Sequence, residues 1–151
     1  MNYLLDTNVL SEVRRPQPEP RVLAWLDQVD EDRVRLSVIT VAELARGIAL
    51  LAAGRRKLAL AEWLEQDLQQ RFGDRLLLID GVTALIWGEL MGEASRAGRH
   101  LAAMDGWIAA LARQHDLVLV TRNVKDFAGL GLEILDPWSL EIAKQPQSPG
   151  P

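Results

Sequence analysis

Short apolar runs alternate along the chain with longer segments in which apolar residues recur every three or four positions. The short runs predict strands, because each is brief, apolar or β-branched, and bounded by polar residues: 3–5, 34–39, 76–79, 117–120 and 132–135. The longer segments predict helices over 7–14, 21–29, 40–53, 55–72, 82–97 and 104–114. Thr40 with Glu43 three residues later is a capping-box pattern, and Gly54 is a candidate helix stop.

Strands separated by helices predict parallel pairing with right-handed crossovers. The expected fold is therefore α/β, a three-layer α/β/α domain around a mainly parallel sheet of about five strands. We find no repeat and no linker that would divide the chain, so residues 1–140 are expected to form one domain. Residues 141–151 include a stretch without periodicity and are predicted to be a disordered C-terminal tail.

Charge and residue usage exclude several classes of protein. The 151 residues include 17 basic and 21 acidic side chains, a net charge of −4, so any contact with nucleic acid must come from a local basic patch. The chain has no cysteine and two histidines, which excludes disulfides, thiol nucleophiles, cysteine-ligated metals and a three-histidine zinc site. Carboxylates remain as the abundant reactive groups.

The chain carries no apolar run of about 18 residues and no basic-then-apolar start. We therefore expect a cytoplasmic protein without a membrane partner.

Acidic residues follow several of the predicted elements at one edge of the sheet. Asp6 closes the first strand, Glu43 follows the second, and Asp105 begins a helix. Thr121-Arg122-Asn123 closes the fourth strand, and Asp126 lies three residues further on. In parallel sheets ligands bind beyond the carboxyl ends of the strands, so the fold could bring these groups together.

Clustered carboxylates point to a hard divalent cation. Two carboxylates about 5 Å apart repel by about 3 kcal/mol at an effective dielectric near 20. Mg²⁺ or Mn²⁺ would remove that conflict, and either ion can orient a phosphodiester and activate a water for in-line attack. Each acid also has a simpler interpretation by itself: Asp6 and Asp105 as helix caps, Glu43 as part of a capping box, Asp126 as a turn former. Only their joint placement favours a metal site.

Four segments, in order, resemble the motifs of PIN-domain proteins: Leu4–Glu12, Leu36–Leu44, Met104–Ala110 and Thr121–Asn123. Their spacing is similar to that of the VapC toxins of bacterial toxin–antitoxin pairs, especially the FitB-like branch. The proline-rich loop at 14–20 and the ending at 136–138 add to the likeness, which covers about residues 2–138.

This resemblance implies a metal-dependent endoribonuclease that hydrolyses RNA with Mg²⁺ or Mn²⁺ and acts as a toxin inhibited by a cognate antitoxin. It implies that Asp6, Glu43 and Asp105 are the acidic residues of the metal site. It also implies polar supporting residues at four positions: Thr7, Asn8, Ser37 and Thr121. Arg122, beside the expected pocket, is a candidate for binding phosphate.

The fourth site residue stays open between two positions. FitB-like proteins carry an acid where Asn123 stands, whereas many VapC relatives place one at the position of Asp126. Either Asp126 completes the site, or Asn123 binds the metal or its water through an amide oxygen.

Two other functions are weighed against the nuclease. A haloacid-dehalogenase-like phosphatase would need a second acid where Asn8 stands, which makes it the weaker alternative. A non-catalytic PIN-like protein-binding module would be expected to lack the acids that this chain retains. A metal titration separates the nuclease from such a module.

The segment 21–72 carries more apolar surface than a small sheet covers. Four of its residues are predicted to contact a second subunit or the antitoxin: Trp25, Ile48, Leu51 and Trp63. We therefore expect a homodimer, within a larger toxin–antitoxin assembly when the antitoxin is present.

Overall fold

Five short strands and seven α-helices alternate along residues 1–140, which are the residues that this computed structural model describes. The strands are β1 Tyr3–Leu5, β2 Val34–Ser37, β3 Leu76–Leu77, β4 Val118–Val120 and β5 Ile134–Leu135. The helices are α1 Thr7–Val13, α2 Pro20–Gln28, α3 Val38–Ala49, α4 Arg55–Glu62, α5 Gln69–Phe72, α6 Gly81–Arg96 and α7 Ala103–Gln114. Within residues 1–140, none of the helices combines the length and the apolar composition that crossing a membrane requires. The tail predicted to be disordered, 141–151, lies outside the described residues.

The strands form one sheet in the order β3-β2-β1-β4-β5, and every pairing is parallel. From β1, the chain adds β2 and then β3 on one side of the sheet, and afterwards β4 and β5 on the other side. The direction in which strands are added therefore switches between β1 and β4. Chain segments leaving the carboxyl ends of these two strands diverge and leave a crevice, which is where open α/β sheets bind ligands. The prediction of a parallel five-stranded α/β/α fold is confirmed.

The central strand β1 is buried on both faces, which explains why its sequence is a continuous apolar run. Leu4 belongs to the core beneath α6 and α7, together with Ile108 and Leu111. Leu5 points the other way, into a second core that contains Val9 and Leu64. These two cores hold the three layers together.

The boundary between β2 and α3 differs from the prediction. The run 34–39 alternates like a strand, but β2 ends at Ser37 and α3 begins at Val38. The Ser37 hydroxyl accepts a hydrogen bond from the Thr40 backbone N–H at 3.2 Å, so Ser37 is the N-cap. The predicted capping box of Thr40 and Glu43 is therefore wrong, and both residues lie inside the helix.

Other predicted elements were also too long, among them the fifth strand, which was expected from residue 132 and begins at Ile134. Helix α3 ends at Ala49 rather than at 52 or 53, and the Lys57 ammonium donates hydrogen bonds to the free carbonyls of Ala49 at 3.3 Å and Leu51 at 3.2 Å. Strand β3 ends at Leu77, because the chain then leaves the sheet to reach the capping box that begins α6 at Asp80.

The helix predicted over 55–72 is interrupted by a wider, π-helical turn at Trp63–Leu68. Apolar residues in this segment are spaced four apart, and in a regular α-helix such a row drifts by roughly 40° per step. A wider turn compensates that drift, so Leu64, Leu68 and Phe72 all remain buried in the second core.

Candidate active site

The crevice at the switch point between β1 and β4 is an open cleft of about 440 Å³. Its lining includes Asp6, Glu43, Asp105, Arg122 and Asn123. Three acids that lie 37 or more positions apart in sequence are thus brought to one cleft, as the sequence predicted. They come from the end of β1, from α3 and from the first turn of α7.

Asp6 is buried and fixed by hydrogen bonds. Its two carboxylate oxygens accept from the Thr7 backbone N–H at 2.8 Å and from the Thr121 hydroxyl at 2.8 Å. Asp6 is therefore the N-cap of α1 and also lines the cleft, so capping does not exclude a role in the cleft. Burial raises the pKa of Asp6, the hydrogen bonds from Thr121 and Thr7 oppose that rise, and the charge of Asp126 adds to it.

The Thr121 side chain joins the ends of β1 and β4. Its hydroxyl is fully buried, donates to Asp6 and accepts from the Asn8 amide at 3.2 Å and the Asn123 backbone N–H at 3.0 Å. The Asn8 amide oxygen accepts from the Arg122 backbone N–H at 3.4 Å. The predicted supporting residues thus hold the segment after β4 against α1.

Glu43 is positioned by a chain of hydroxyl groups. The Thr7 hydroxyl lies 2.8 Å from a Glu43 carboxylate oxygen and 3.0 Å from the Thr40 hydroxyl, which in turn lies 3.4 Å from the Ser37 hydroxyl. A hydroxyl has one proton, so when Thr7 donates to Glu43 it accepts from Thr40, and Thr40 accepts from Ser37. Thr40 is fully buried and was not predicted to support the site; the signal was its spacing of three residues from both Ser37 and Glu43.

Asp105 lies on the opposite side of the cleft without such support. It is the third residue of α7, and the N-cap position, Ala102, makes no side-chain cap. The Asp105 side chain accepts no hydrogen bond from residues 1–140, so the alternative of a helix cap is wrong. Burial, followed by the charges of Asp6, Asp126 and Glu43, raises the pKa of Asp105 to about 6.

The start of α7 is held in place by α6. The Trp87 indole N–H donates to the Ala103 carbonyl at 3.1 Å, and the Trp87 and Trp107 rings stack with centroids 4.8 Å apart. A Cβ atom at Gly106 would lie 2.7 Å from the Met91 sulfur and 2.9 Å from the Trp87 nitrogen. Glycine at this position therefore allows the close approach of α6 to the first turn of α7, which carries Asp105.

The two candidates for the fourth site residue occupy different places. Asn123 lines the acidic cleft itself. Asp126 lies on the short 3₁₀ turn Val124–Phe127, and it lines a neighbouring pocket. Its charge nevertheless raises the pKa of both Asp6 and Asp105, so it lies within their electrostatic reach.

Helix α1 adds residues that the sequence analysis missed. Glu12 is buried in the cleft wall, accepts from the Glu19 backbone N–H at 3.0 Å and pairs with Arg15 at 3.2 Å. Asn8, Glu12 and Arg15 recur at helical spacing, which was the available signal.

Arg122, the predicted phosphate ligand, lies with its guanidinium 5.5 Å from the centre of the Trp138 ring at the same cleft.

The donor set fits a hydrated hard cation better than a closed cage. Among the described residues, no group of three or more His, Asp or Glu side chains is arranged to hold a metal ion. The carboxylates are nevertheless near enough to raise the pKa of Asp105, and the arginines that line the cleft, Arg15 and Arg122, do not offset that rise. Mg²⁺ ordinarily binds through one or two carboxylates and keeps several waters, and the acids lining this cleft can supply that number.

The four residues predicted to make subunit or antitoxin contacts are all partly exposed: Trp25, Ile48, Leu51 and Trp63. Trp25, Ile48 and Trp63 pack against the second core, and Trp63 also lines a groove of about 650 Å³ between α1, α2 and the π-helical turn. Their role in assembly stays a prediction.

The chain matches a known domain family over most of its length. The PIN domain family matches residues 3–131. This chain belongs to the PIN-domain family. Toxin FitB of Neisseria gonorrhoeae is 46% identical over 135 residues, which are 89% of this chain and 97% of FitB. The VapC ribonuclease Y4jK of Sinorhizobium fredii is 37% identical over 135 residues, 89% of this chain and 96% of that protein.

Solved structures agree with this PIN-domain assignment. The crystal structure of FitAcB from Neisseria gonorrhoeae superposes with a TM-score of 0.87 at 46% identity, covering 91% of this chain and 99% of the other. The resemblance to FitB-like VapC toxins drawn from the sequence motifs is therefore confirmed.

Proposed function

We propose that this PIN-domain chain is the ribonuclease toxin of a toxin–antitoxin pair and that it hydrolyses RNA phosphodiesters with a Mg²⁺ or Mn²⁺ ion held at Asp6, Glu43 and Asp105. One observation carries the proposal: three acids from separate elements line one cleft at the switch point of the sheet, where burial and the charges of neighbouring carboxylates raise the pKa of Asp105 to about 6. Relatives named as a toxin and as a ribonuclease, aligned over most of their length, support it.

Each acid has its own role in this proposal. When bound, the metal ion stabilises charge on the phosphate oxygens and lowers the pKa of a coordinated water. Asp6 presents a carboxylate whose orientation Thr7 and Thr121 fix before any ligand arrives. The Asp105 carboxylate accepts no hydrogen bond within residues 1–140, so this side chain is free to turn toward the cation. Glu43 is held by the hydroxyl of Thr7.

The remaining cleft residues act on the substrate and on charge balance. Arg122 neutralises a phosphate oxygen of RNA, and its position over the Trp138 ring limits the directions it can take. We assign Asp126 as the fourth acidic residue, acting directly or through water, with Asn123 as the alternative at the cleft wall. Residues 1–140 form the PIN domain that carries all of these groups.

The partners in this proposal are RNA, a cognate antitoxin and a second copy of the chain. The FitB relationship supports the role of toxin. Homodimer formation is tested by sedimentation velocity at micromolar concentration, where a dimer is expected. A species that remains monomeric at that concentration would remove the homodimer from the proposal while leaving the nuclease intact.

The proposed activity is tested with purified chain, a labelled single-stranded RNA, and Mg²⁺ or Mn²⁺ added to protein stripped by EDTA. We expect cleavage only with metal, and saturable Mn²⁺ binding in the absence of RNA. The Asp105→Asn variant is expected to lose both RNA cleavage and Mn²⁺ binding. Asp74→Asn, which makes the same change at an exposed acid outside the cleft, serves as the control and is expected to behave as wild type. Cleavage that survives exhaustive chelation would overturn the metal-dependent mechanism, and a chain that binds neither metal nor RNA would be a non-catalytic module.

A further inference from the structure

A second pocket, of about 310 Å³, adjoins the acidic cleft through the turn Val124–Phe127. Residues 122 and 123 line the cleft, whereas residues 125, 126 and 128 line this second pocket. Its ionisable side chains are Arg99, His100, Lys125 and Asp126; we call it the basic pocket. We propose that the basic pocket binds a phosphate of single-stranded RNA that flanks the phosphate held in the acidic cleft, an inference that rests on the proposed function.

The two cations of the basic pocket form no ion pair within residues 1–140, although Asp126 lines the same pocket. These two residues, Arg99 and Lys125, are both exposed. Other arginines at the surface do pair, as Arg71 does with Glu31. A protein with a net charge of −4 can attract a polyanion only through such local excess of positive charge.

Arg99 is held in a fixed position before any ligand binds. One guanidinium nitrogen, Nη1, donates to the Ala128 carbonyl at 2.5 Å. The guanidinium occupies the space over Gly129, where a Cβ atom would lie 1.3 Å from Nη1, and Gly129 itself has a φ of +80°. Within residues 1–140, Nη2 and Nε make no hydrogen bond, which leaves two donors for phosphate oxygens.

The two sites lie close enough to engage one RNA strand. Asp126 lines the basic pocket, yet its charge raises the pKa of Asp6 and Asp105 in the cleft. An RNA strand carries one phosphate per nucleotide, so a strand whose scissile phosphate lies in the cleft presents further phosphates to a neighbouring site. The acids of the cleft repel that strand before a cation binds, and the basic pocket offsets this repulsion at its edge.

The test compares Arg99→Gln and Lys125→Gln with Arg33→Gln. Arg33 is an exposed arginine without an ion pair in residues 1–140, and it lies before β2, at the opposite edge of the sheet. Binding of a fluorescent single-stranded 12-nucleotide RNA is followed by anisotropy in EDTA over a series of salt concentrations. We expect each pocket variant to reduce the slope of log K against log salt by about 0.7, and Arg33→Gln to leave it unchanged. In cleavage assays with metal, the pocket variants are expected to raise KM more than they lower kcat.

The possible outcomes separate this inference from the proposed function. If wild type binds and cleaves RNA but both pocket variants keep its salt slope, the inference is wrong and the nuclease assignment stands. The same result is expected if the pocket instead binds an acidic protein segment. If wild type neither binds nor cleaves RNA, both fail. Thermal melts check folding, and Lys125→Gln decides the test if Arg99→Gln unfolds, because Lys125 makes no side-chain hydrogen bond within residues 1–140.

Discussion

The two sides of the acidic cleft are built differently. On the side of β1 and β4, Asp6 accepts hydrogen bonds from Thr7 and Thr121 and is almost wholly buried, with 5% of its surface exposed. On the side of α7, the Asp105 side chain is more exposed, and its carboxylate accepts no hydrogen bond within residues 1–140. Both carboxyl groups have raised pKa values, but only Asp6 has donors that oppose the rise.

Hydrogen bonds therefore orient the Asp6 carboxylate, whereas the Asp105 carboxylate is repelled by its neighbours without such support. Hydrogen bonds at Asp6 favour its charged form and fix its direction, so part of its desolvation is compensated within the fold. At Asp105 the repulsion from Asp6, Asp126 and Glu43 is left uncompensated. A cation in the cleft would therefore relieve more electrostatic repulsion at Asp105, on the α7 side, than at Asp6, on the β1 side.

The largest effect is expected from removing either carboxylate. Asp6→Asn and Asp105→Asn should each lower RNA cleavage by at least about 100-fold, because a carboxylate that binds the ion outweighs an outer-shell partner, whose loss costs roughly 10- to 100-fold. In metal-free protein at pH 7, Asp105→Asn should raise the melting temperature, because it removes an uncompensated charge. Asp6→Asn should leave it close to wild type, because Asn caps a helix about as well as Asp.

Cleavage assays and melts with and without metal measure both effects. Full activity in Asp6→Asn would show that Asp6 is not needed for cleavage. An Asp105→Asn protein that is less stable than wild type without metal would show that Asp105 does not carry an uncompensated charge.

A smaller effect is expected at the fourth position. Asp126→Asn should lower activity roughly tenfold and spare part of the tight Mn²⁺ binding, since this side chain acts from the edge of the cleft. Asn123→Ala provides the matched variant inside the cleft. If Asp126→Asn behaves as wild type while Asn123→Ala abolishes cleavage, the Asp126 assignment is wrong and Asn123 carries the function.

Breaking the hydroxyl chain should loosen Glu43 without removing a carboxylate. Thr40→Val keeps the shape of the side chain but leaves Thr7 without the hydroxyl 3.0 Å away. We expect a loss of about 1 kcal/mol in the free energy of unfolding and a severalfold fall in cleavage. Thr40→Ser retains the hydroxyl and should recover most of both. Equal loss in the two variants would mean that the Thr40 methyl group matters through packing alone.

The last effect concerns stability alone, in metal-free protein as a function of pH. Because the pKa of Asp105 is raised from 3.8 to about 6, its contribution to stability is fully present below pH 3.8 and is lost as pH rises through 6. The free energy of unfolding of wild type relative to Asp105→Asn should therefore fall between pH 4 and pH 7. Urea unfolding in EDTA across this range measures the difference. A flat difference would show that Asp105 is not strained in the folded chain.

Short segments of the sequence are enough to predict much of the fold. The apolar run at Tyr3–Leu5 is too short for a helix and ends in capping residues, so it predicts a buried strand followed by a helix at Thr7. Boundaries were less predictable where two local interpretations compete. Val38 and Ile39 continue a strand-like alternation, and only the hydrogen bond between Ser37 and the Thr40 N–H selects the helix.

The sequence by itself determined the strand and helix order, the family and the acids that are candidates for the site, because these depend on residue type and on spacing within a few positions. Tertiary structure alone decided that Asp6 is fixed and Asp105 strained, that Thr40 supports Glu43, and that Arg99 and Lys125 share a pocket. Those properties arise from charges and donors that are distant along the chain and interact only after the sheet has assembled. Coulombic repulsion and desolvation depend on distance in space, and a linear pattern does not encode that distance.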